Sequence, residues 1–504
     1  MQPEFDIVIV GSGLGGLVCG AILGAEGYRV CILEKNRQLG GCLQTFARDS
    51  VLFDSGVHYI GGLSEGQTLN KVFKYLGLMD ALKLQQMDED VFDKIVFLED
   101  GREYAMAQGY ERFIDTLAAD FPGERDNIRQ YCNKIREVCS KFPLYNLRVA
   151  DNFAEKAEIL EIDTKAYIES VTSNRRLQEV LAGNNTLYAG VGDKTPFYVH
   201  ALVLNSYIES SWKCVNGGSQ ITKHLAKRIR ANGGVIRNYS TVTRFVEKDG
   251  AIQYVELADG TTVTAKHFIS NLHPQQTLEM TESSLLRSVY RKRIARMENT
   301  ISSFCVHAVM KPGSFPYYKH NFYIHEKNGV WEAISCEEDK WPQSCCIFFS
   351  ASSRSSEFAE GMCILAYMPF GKFADWQHTF NTDTIPGDRG KDYEQYKKEK
   401  AETLISFVER KFPGIRESIQ SYYTSTPLTY RDYIGTTDGS MYGVSKDYKD
   451  PLSTFISPLT RIPNLCLTGQ NLMLHGILGV SISALSTCGV FTDLEKLIEK
   501  IKHA

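Results

Sequence analysis

Neither charge predominates in this chain. Its 504 residues carry 56 Lys and Arg against 60 Asp and Glu, a net charge of −4. That balance gives no electrostatic reason to expect nucleic acid as a partner. There is also no run of 18 apolar residues, so no segment reads as a membrane span. The longest apolar candidate, GILGVSISALSTCGVF at 476–491, is punctuated by glycine and hydroxyl residues and reads as a buried helix. The 13 cysteines form no CxxC pair, and the 11 histidines form no HExxH and no Cys/His ligand spacing. No metal site is therefore expected. No nucleophile elbow or Ser-His-Asp order is present. The stretch AGVGDKT at 189–195 fails as a phosphate loop, because Asp193 separates glycine from lysine. No secretory signal precedes the strand-like run at Phe5, and the thiols read as reduced, which places the expected location in the cytoplasm. No internal repeat or low-complexity tract appears.

What is present is a soluble, globular composition, 43% hydrophobic and 23% charged, long enough for two or three domains. The first forty residues follow a strict order. An apolar run, Ile7 to Val10, predicts a buried strand. Gly11, Gly13 and Gly16 then form G-x-G-x-x-G, followed by a small-residue helix from Leu14 to Ala25 and a second strand, Tyr28 to Leu33, that ends at Glu34. Gly11 permits the tight turn, Gly13 lets the backbone approach a pyrophosphate, and Gly16 lets helix and strand pack closely. The helix N-terminus offers unpaired N–H groups to phosphates. Glu34 can accept hydrogen bonds from ribose hydroxyls and argues against a 2′-phosphate. With Ser12 and Lys35 in the same motifs, these residues predict a dinucleotide site that leaves FAD and NAD open. No second G-x-G-x-x-G follows.

The next residues narrow the choice. EKNRQLGGCLQTF sets Gly40 and Gly41 just past the second strand, and FDSGVHYIGG follows at 53–62. A middle block, Val199 to Pro274, contains HALVLNSY and a double glycine before a helix predicted over Ser219–Ala231. Hairpin signals at Asp249-Gly250 and Asp259-Gly260 separate short strands in the same block. A third block, Ile462 to Leu485, predicts a strand at Leu465–Leu467, a turn at Gly469-Gln470 and a helix from about Leu478-Gly479. Together these blocks resemble the flavoprotein superfamily of amine oxidases, phytoene desaturases, carotenoid isomerase and retinol saturase. The His-Tyr-Ile-Gly form of the loop at 58–61 is closest to the retinol-saturase-like members.

The resemblance implies an α/β fold. A discontinuous Rossmann-type FAD-binding domain (1–75, 205–285 and 415–504) would carry an inserted α+β substrate domain (76–204, read as helices, and 286–414). It implies FAD against Gly40 and Gly41, Val242 meeting the adenine through its backbone, and Gly469, Gln470, Leu478 and Gly479 at the isoalloxazine ring. It implies a long apolar polyene or isoprenoid substrate whose double bond is saturated. Histidine and tyrosine suit the required proton transfer, so His58, Tyr59 and His475 are the catalytic candidates, while His200 falls on a further motif position. Without a second fingerprint, NAD(P)H is left as an electron donor that docks without a fold of its own. A polyene desaturase or isomerase fits the same motifs. A prenyl-protein-binding module with a GDP-dissociation-inhibitor-like fold fits the architecture, but it has no need of an intact phosphate loop. The amine oxidase reading lacks the covalent-flavin cysteine context near the C-terminus. The basic run Arg287, Arg291, Lys292, Arg293 and Arg296 invites a peripheral membrane contact. Oligomeric state is not legible.

Overall fold

Two sheets organise the molecule, and the cavities lie between them. A computed structural model describes residues 3–149, 157–335 and 338–504; Cys336, one of the thiols counted above, lies outside the described residues. The strand Phe5–Val10 sits mid-sheet, parallel to Val30–Leu33 on one side and to the second half of Thr262–Ser270 on the other. The sheet continues outward through Val235–Arg237 at one edge, while Leu465–Leu467 joins Thr262–Ser270 in parallel. The first half of Thr262–Ser270 instead closes an antiparallel meander with Ala251–Leu257 and Val242–Lys248. The helices Leu14–Ala25 and Ser219–Ala231 run over the residues predicted for them. Leu14–Ala25 is buried over most of its length because Gly16 and Gly20 allow close approach: a Cβ at Gly16 would sit 2.2 Å from the Gly11 carbonyl oxygen.

The second sheet has seven strands in the order Ile419–Ser425, Ser302–Met310, Gly361–Met368, Ser344–Phe349, Asn321–His325, Asp93–Phe97 and Arg102–Met106. Its central strands are buried on both faces, which explains their unbroken apolar runs. Alternate residues face opposite ways. Phe304, Val306, Ile347 and Phe349 pack in the cluster that includes residues of the helix Gly390–Glu409. Cys346, Phe348 and Leu365 face the helical layer that includes Arg125–Ser140 and Phe197–Glu209.

The expectation of an all-helical segment over 76–204 is corrected here. Leu84–Gln86, Asp93–Phe97 and Arg102–Met106 are strands. Asp93–Phe97 pairs in parallel with Asn321–His325, a partner far away in sequence. It also forms a hairpin with Arg102–Met106 across a turn where Gly101 has φ +68°, so the strand has one local and one long-range partner. Among the described residues, no helix is long and apolar enough to cross a membrane.

Candidate active site

The glycine-rich turn opens onto a cavity enclosing about 1570 Å³ of non-protein space. Gly11 has φ +96° and Gly40 φ +113°, conformations that glycine adopts without strain. The Gly40 N–H donates to the Ser12 carbonyl at 3.1 Å, which draws the glycine pair against the first turn. The helix Leu14–Ala25 starts here with no side-chain cap and no acidic residue in its first turn. Its leading N–H groups and positive dipole end therefore remain for an anion. A Cβ at Gly13 or Gly15 would strike the Asn271 amide at 2.9 or 2.6 Å, so these bare backbones form the wall. Glu34 is buried; its Oε2 accepts from the Ser12 N–H at 3.0 Å and its Oε1 from the Asn36 N–H at 2.8 Å. A carboxylate held in this way keeps lone pairs for hydroxyl donors. Ser12, Lys35, Gly41, Val242, Gly469 and Gln470 line the same cavity. The donor set and the bare glycine wall fit a dinucleotide.

The helix predicted from about Leu478-Gly479 runs over Gly476–Cys488, two residues earlier at its start, with His475 at its N-cap. Gly476, at φ +75°, supplies the turn that starts it early. As a consequence, Leu478 and Gly479 face a second cavity rather than the first. This second cavity encloses about 900 Å³ and shares Gly56, Val57, Met441, Tyr442, Gly476 and Ile477 with the dinucleotide cavity. The uncapped N-terminus of Gly476–Cys488 lies at that junction and places a positive dipole end there.

All three catalytic candidates line the second cavity. The His58 ring stacks flat on Phe348, with centroids 4.3 Å apart, and burial pulls its pKa down to about 3. His475 Nε2 lies 3.0 Å from the Leu187 carbonyl, to which it donates, and burial lowers its pKa to about 4. Both imidazoles are therefore neutral at pH 7. Tyr59 differs. Its hydroxyl donates to Asp93 Oδ2 at 2.8 Å and lies 2.7 Å from the Tyr323 hydroxyl. Asp93 is fully buried, accepts from Asn321 Nδ2 at 2.9 Å, and is raised by burial to about 7. Lys213 is 1% exposed, donates to the Phe349 carbonyl at 3.1 Å, and is lowered by burial to about 7. His200 belongs to neither cavity; Tyr131 and Tyr188 hydroxyls engage its two nitrogens at 2.6 and 2.7 Å.

Asp93, Tyr323, Lys213 and Asn271 escaped the sequence reading. Asp93 lies in a strand misread as part of a helical insertion, and no local motif marks the others. In the basic run, Arg291 binds the Leu278, Thr281 and Leu286 carbonyls, and Arg293 those of Ser453 and Phe455. Arg287, Lys292 and Arg296 remain exposed.

Comparison with known proteins places this geometry. A profile of NAD(P)-binding Rossmann-like domains matches residues 9–76. An all-trans-retinol 13,14-reductase of Danio rerio is 26% identical, with 97% of this chain and 86% of that protein covered. The chain is an FAD-dependent oxidoreductase similar to the retinol saturases over nearly its whole length. A chloroplastic prolycopene isomerase of Daucus carota is also similar, at 25% identity over 95% of this chain and 79% of its own. The cyclohexylamine oxidase of Brevibacterium oxydans shares the fold at a TM-score of 0.62, with 13% identity and 99% of this chain and 100% of that one covered.

Proposed function

We propose that this chain saturates a carbon–carbon double bond of a long apolar polyene such as retinol, with FAD in the large cavity and the substrate in the adjoining one. The observation that carries the reading is the junction: the dinucleotide cavity and the cavity holding Tyr59 share six lining residues. Gly11, Ser12, Gly13, Gly40 and Gly41 would hold the phosphates, with Gly16 outside the cavity as a packing residue; Glu34 would hold the ribose, Lys35 and Val242 the adenosine end, and Gly469 and Gln470 the flavin end. Bound reduced flavin supplies the hydride. The chain's own residues supply the proton and exclude water.

Tyr59 is the proposed proton donor. It lines the reaction cavity and is hydrogen-bonded to Asp93; below pH about 7, where Asp93 carries a proton of its own, that bond would run from Asp93 to Tyr59 and leave the phenol proton for the substrate. Tyr59 gives its proton to the substrate carbon and regains one from Asp93. His58 and His475, neutral at working pH, position the polyene through ring faces and edges. A further apolar cavity of about 860 Å³, walled by Phe142, Tyr198, Phe455 and Ile482, shares Leu202, Leu474 and Gly479 with the reaction cavity. That arm suits the length and apolar character of the substrate. The two electrons spent per turnover are restored by an external reductant, for which NAD(P)H docking transiently is the proposed source. Peripheral contact with anionic lipid is supported by exposed Arg287, Lys292 and Arg296 beside Val289, which is 76% exposed. Salt-sensitive liposome binding is the expected result.

The test of the main reading is anaerobic. The flavin is reduced chemically, all-trans-retinol is added, and the oxidised flavin band is followed. Return of that band with a shortened polyene absorbance is expected. A polyene isomerised without flavin reoxidation would favour the isomerase reading instead. A purified protein without flavin absorbance, and unable to bind added FAD, would overturn both.

A further inference from the structure

Neighbouring strands of the seven-stranded sheet bring together a group that no linear motif announces. Ser302–Met310 and Gly361–Met368 pair antiparallel, with His307 opposite Cys363 and Cys305 opposite Leu365. Residues two apart on a strand share a face, and so do residues directly opposed across a pair. The register therefore delivers Cys305, His307 and Cys363 to one face. One ligand atom from each, two Sγ and an imidazole nitrogen, lie within 4.8 Å of one another. The three residues are 1%, 2% and 3% exposed.

The surroundings are arranged as a ligand shell would be. His307 Nε2 engages Ser425 Oγ at 2.9 Å, while its Nδ1 is buried without a hydrogen-bond partner. An imidazole whose Nε2–H is held by a hydroxyl presents a lone pair at Nδ1, the tautomer a metal ligand needs. Cys305 Sγ lies 3.2 Å from the Tyr430 hydroxyl, a fourth oxygen donor at the same point. Phe46 and Phe53 pack edge-on against the His307 ring at 4.9 and 5.5 Å, which fixes its orientation and keeps water away. Tetrahedral bonds of about 2.3 Å to sulfur and 2.0 Å to nitrogen set ligand atoms about 3.5–3.8 Å apart. A small inward movement of three side chains achieves this.

We propose that Cys305, His307 and Cys363, with the Tyr430 hydroxyl as fourth group, bind a thiophilic closed-shell cation, zinc or monovalent copper. Both thiols lose their protons on binding. Two thiolates and a neutral imidazole neutralise divalent zinc and leave one negative charge with monovalent copper, so burial favours zinc of the two. Tyr430 belongs to the helix Pro427–Ile434 and also lines the dinucleotide cavity. The cation would fasten the sheet to that helix and to the cavity wall.

The test is metal content and coordination. The holoprotein is produced in medium containing both zinc and copper, purified without chelator under reducing conditions, and analysed for elements. About one cation per chain is expected, and its X-ray absorption edge identifies which of the two it is. The same spectrum should show two sulfur neighbours near about 2.3 Å. Cys363→Ser should lower the content at least tenfold, whereas Cys132→Ala, a buried thiol in the helix Arg125–Ser140, should leave it unchanged. If Cys363→Ser does not fold, the wild-type spectrum decides alone. A metal-free protein that takes up neither cation on titration would overturn the proposal. So would an oxygen-only shell, metal retained in Cys363→Ser, or a Cys305–Cys363 disulfide found by mass after purification without reductant.

Discussion

At the residue scale, the loop His58-Tyr59 separates two side chains that sequence alone treats as equals. His58 is stacked on Phe348 and held neutral by burial, so it has no proton to give near pH 7. Tyr59 is wired through Asp93 and Tyr323. Tyr59→Phe should lower the saturation rate about 10²–10⁴-fold, the range for losing a positioned acid, with flavin content unchanged. His58→Gln should retain turnover within about tenfold, an effect on positioning rather than on proton transfer. Stopped-flow reoxidation of the reduced flavin by retinol separates the two variants. Asp93 adds a pH signature. Its folded pKa, raised by burial to about 7, lies above the ordinary carboxylate value, so the folded state holds a proton that the unfolded chain releases. The sign follows: its contribution to stability is fully present below the ordinary carboxylate range and is lost as pH rises through about 7. The rate should fall over that same upper limb. Asp93→Asn should flatten both profiles, as read from urea midpoints and single-turnover rates between pH 5 and 9.

At the scale of elements, the dinucleotide turn was legible because every part of it is local: strand, glycines, helix and terminal acid stand within one short stretch. Gly41 tests it. A Cβ there would sit 3.2 Å from the Gly13 Cα, on a backbone with φ +56°. Gly41→Ala should yield protein with a lower ratio of flavin to protein absorbance and a weaker Kd for added FAD, while the helical circular dichroism signal is kept. The reaction cavity was legible only in part. The loop at 58–61 and His475 could be named from their motifs, yet Asp93, Tyr323 and Lys213 arrive on strands whose partners are remote. Asp93–Phe97 pairs locally with Arg102–Met106 in a hairpin, but the pairing that carries it into the large sheet, with Asn321–His325, is remote. The same limit hid the Cys305, His307 and Cys363 group, because ligand spacing is a one-strand signal and this set is divided across a ladder. The two-residue error at the helix Gly476–Cys488 had a smaller cause, the positive-φ glycine at its first position.

At the scale of the whole molecule, one buried ion pair ties the substrate sheet's long connection to the cofactor side. Arg389 and Asp432 side chains are 5% and 0% exposed, and the Asp432 carbonyl accepts from Lys35 Nζ at 2.7 Å. Arg389→Met leaves Asp432 without that partner in the interior. Arg431 still pairs with Asp432 at 2.7 Å, so the loss should cost about 1.5 kcal/mol of stability, measured by urea unfolding. The apolar arm beside the reaction cavity gives a second prediction at this scale. Ile482→Phe narrows it and should raise KM for retinol severalfold while changing kcat little for a short enone that never enters the arm.

The order in which the central sheet is assembled has a consequence in the living cell. Phe5–Val10 emerges first from the ribosome, but its inner neighbour Thr262–Ser270 comes only after half of the chain, and Leu465–Leu467 near the end. The nascent chain must therefore carry an open β-edge through most of its synthesis. The wall of the dinucleotide cavity is complete only once Gly469 to Val480 have been added, so cofactor loading waits for that segment.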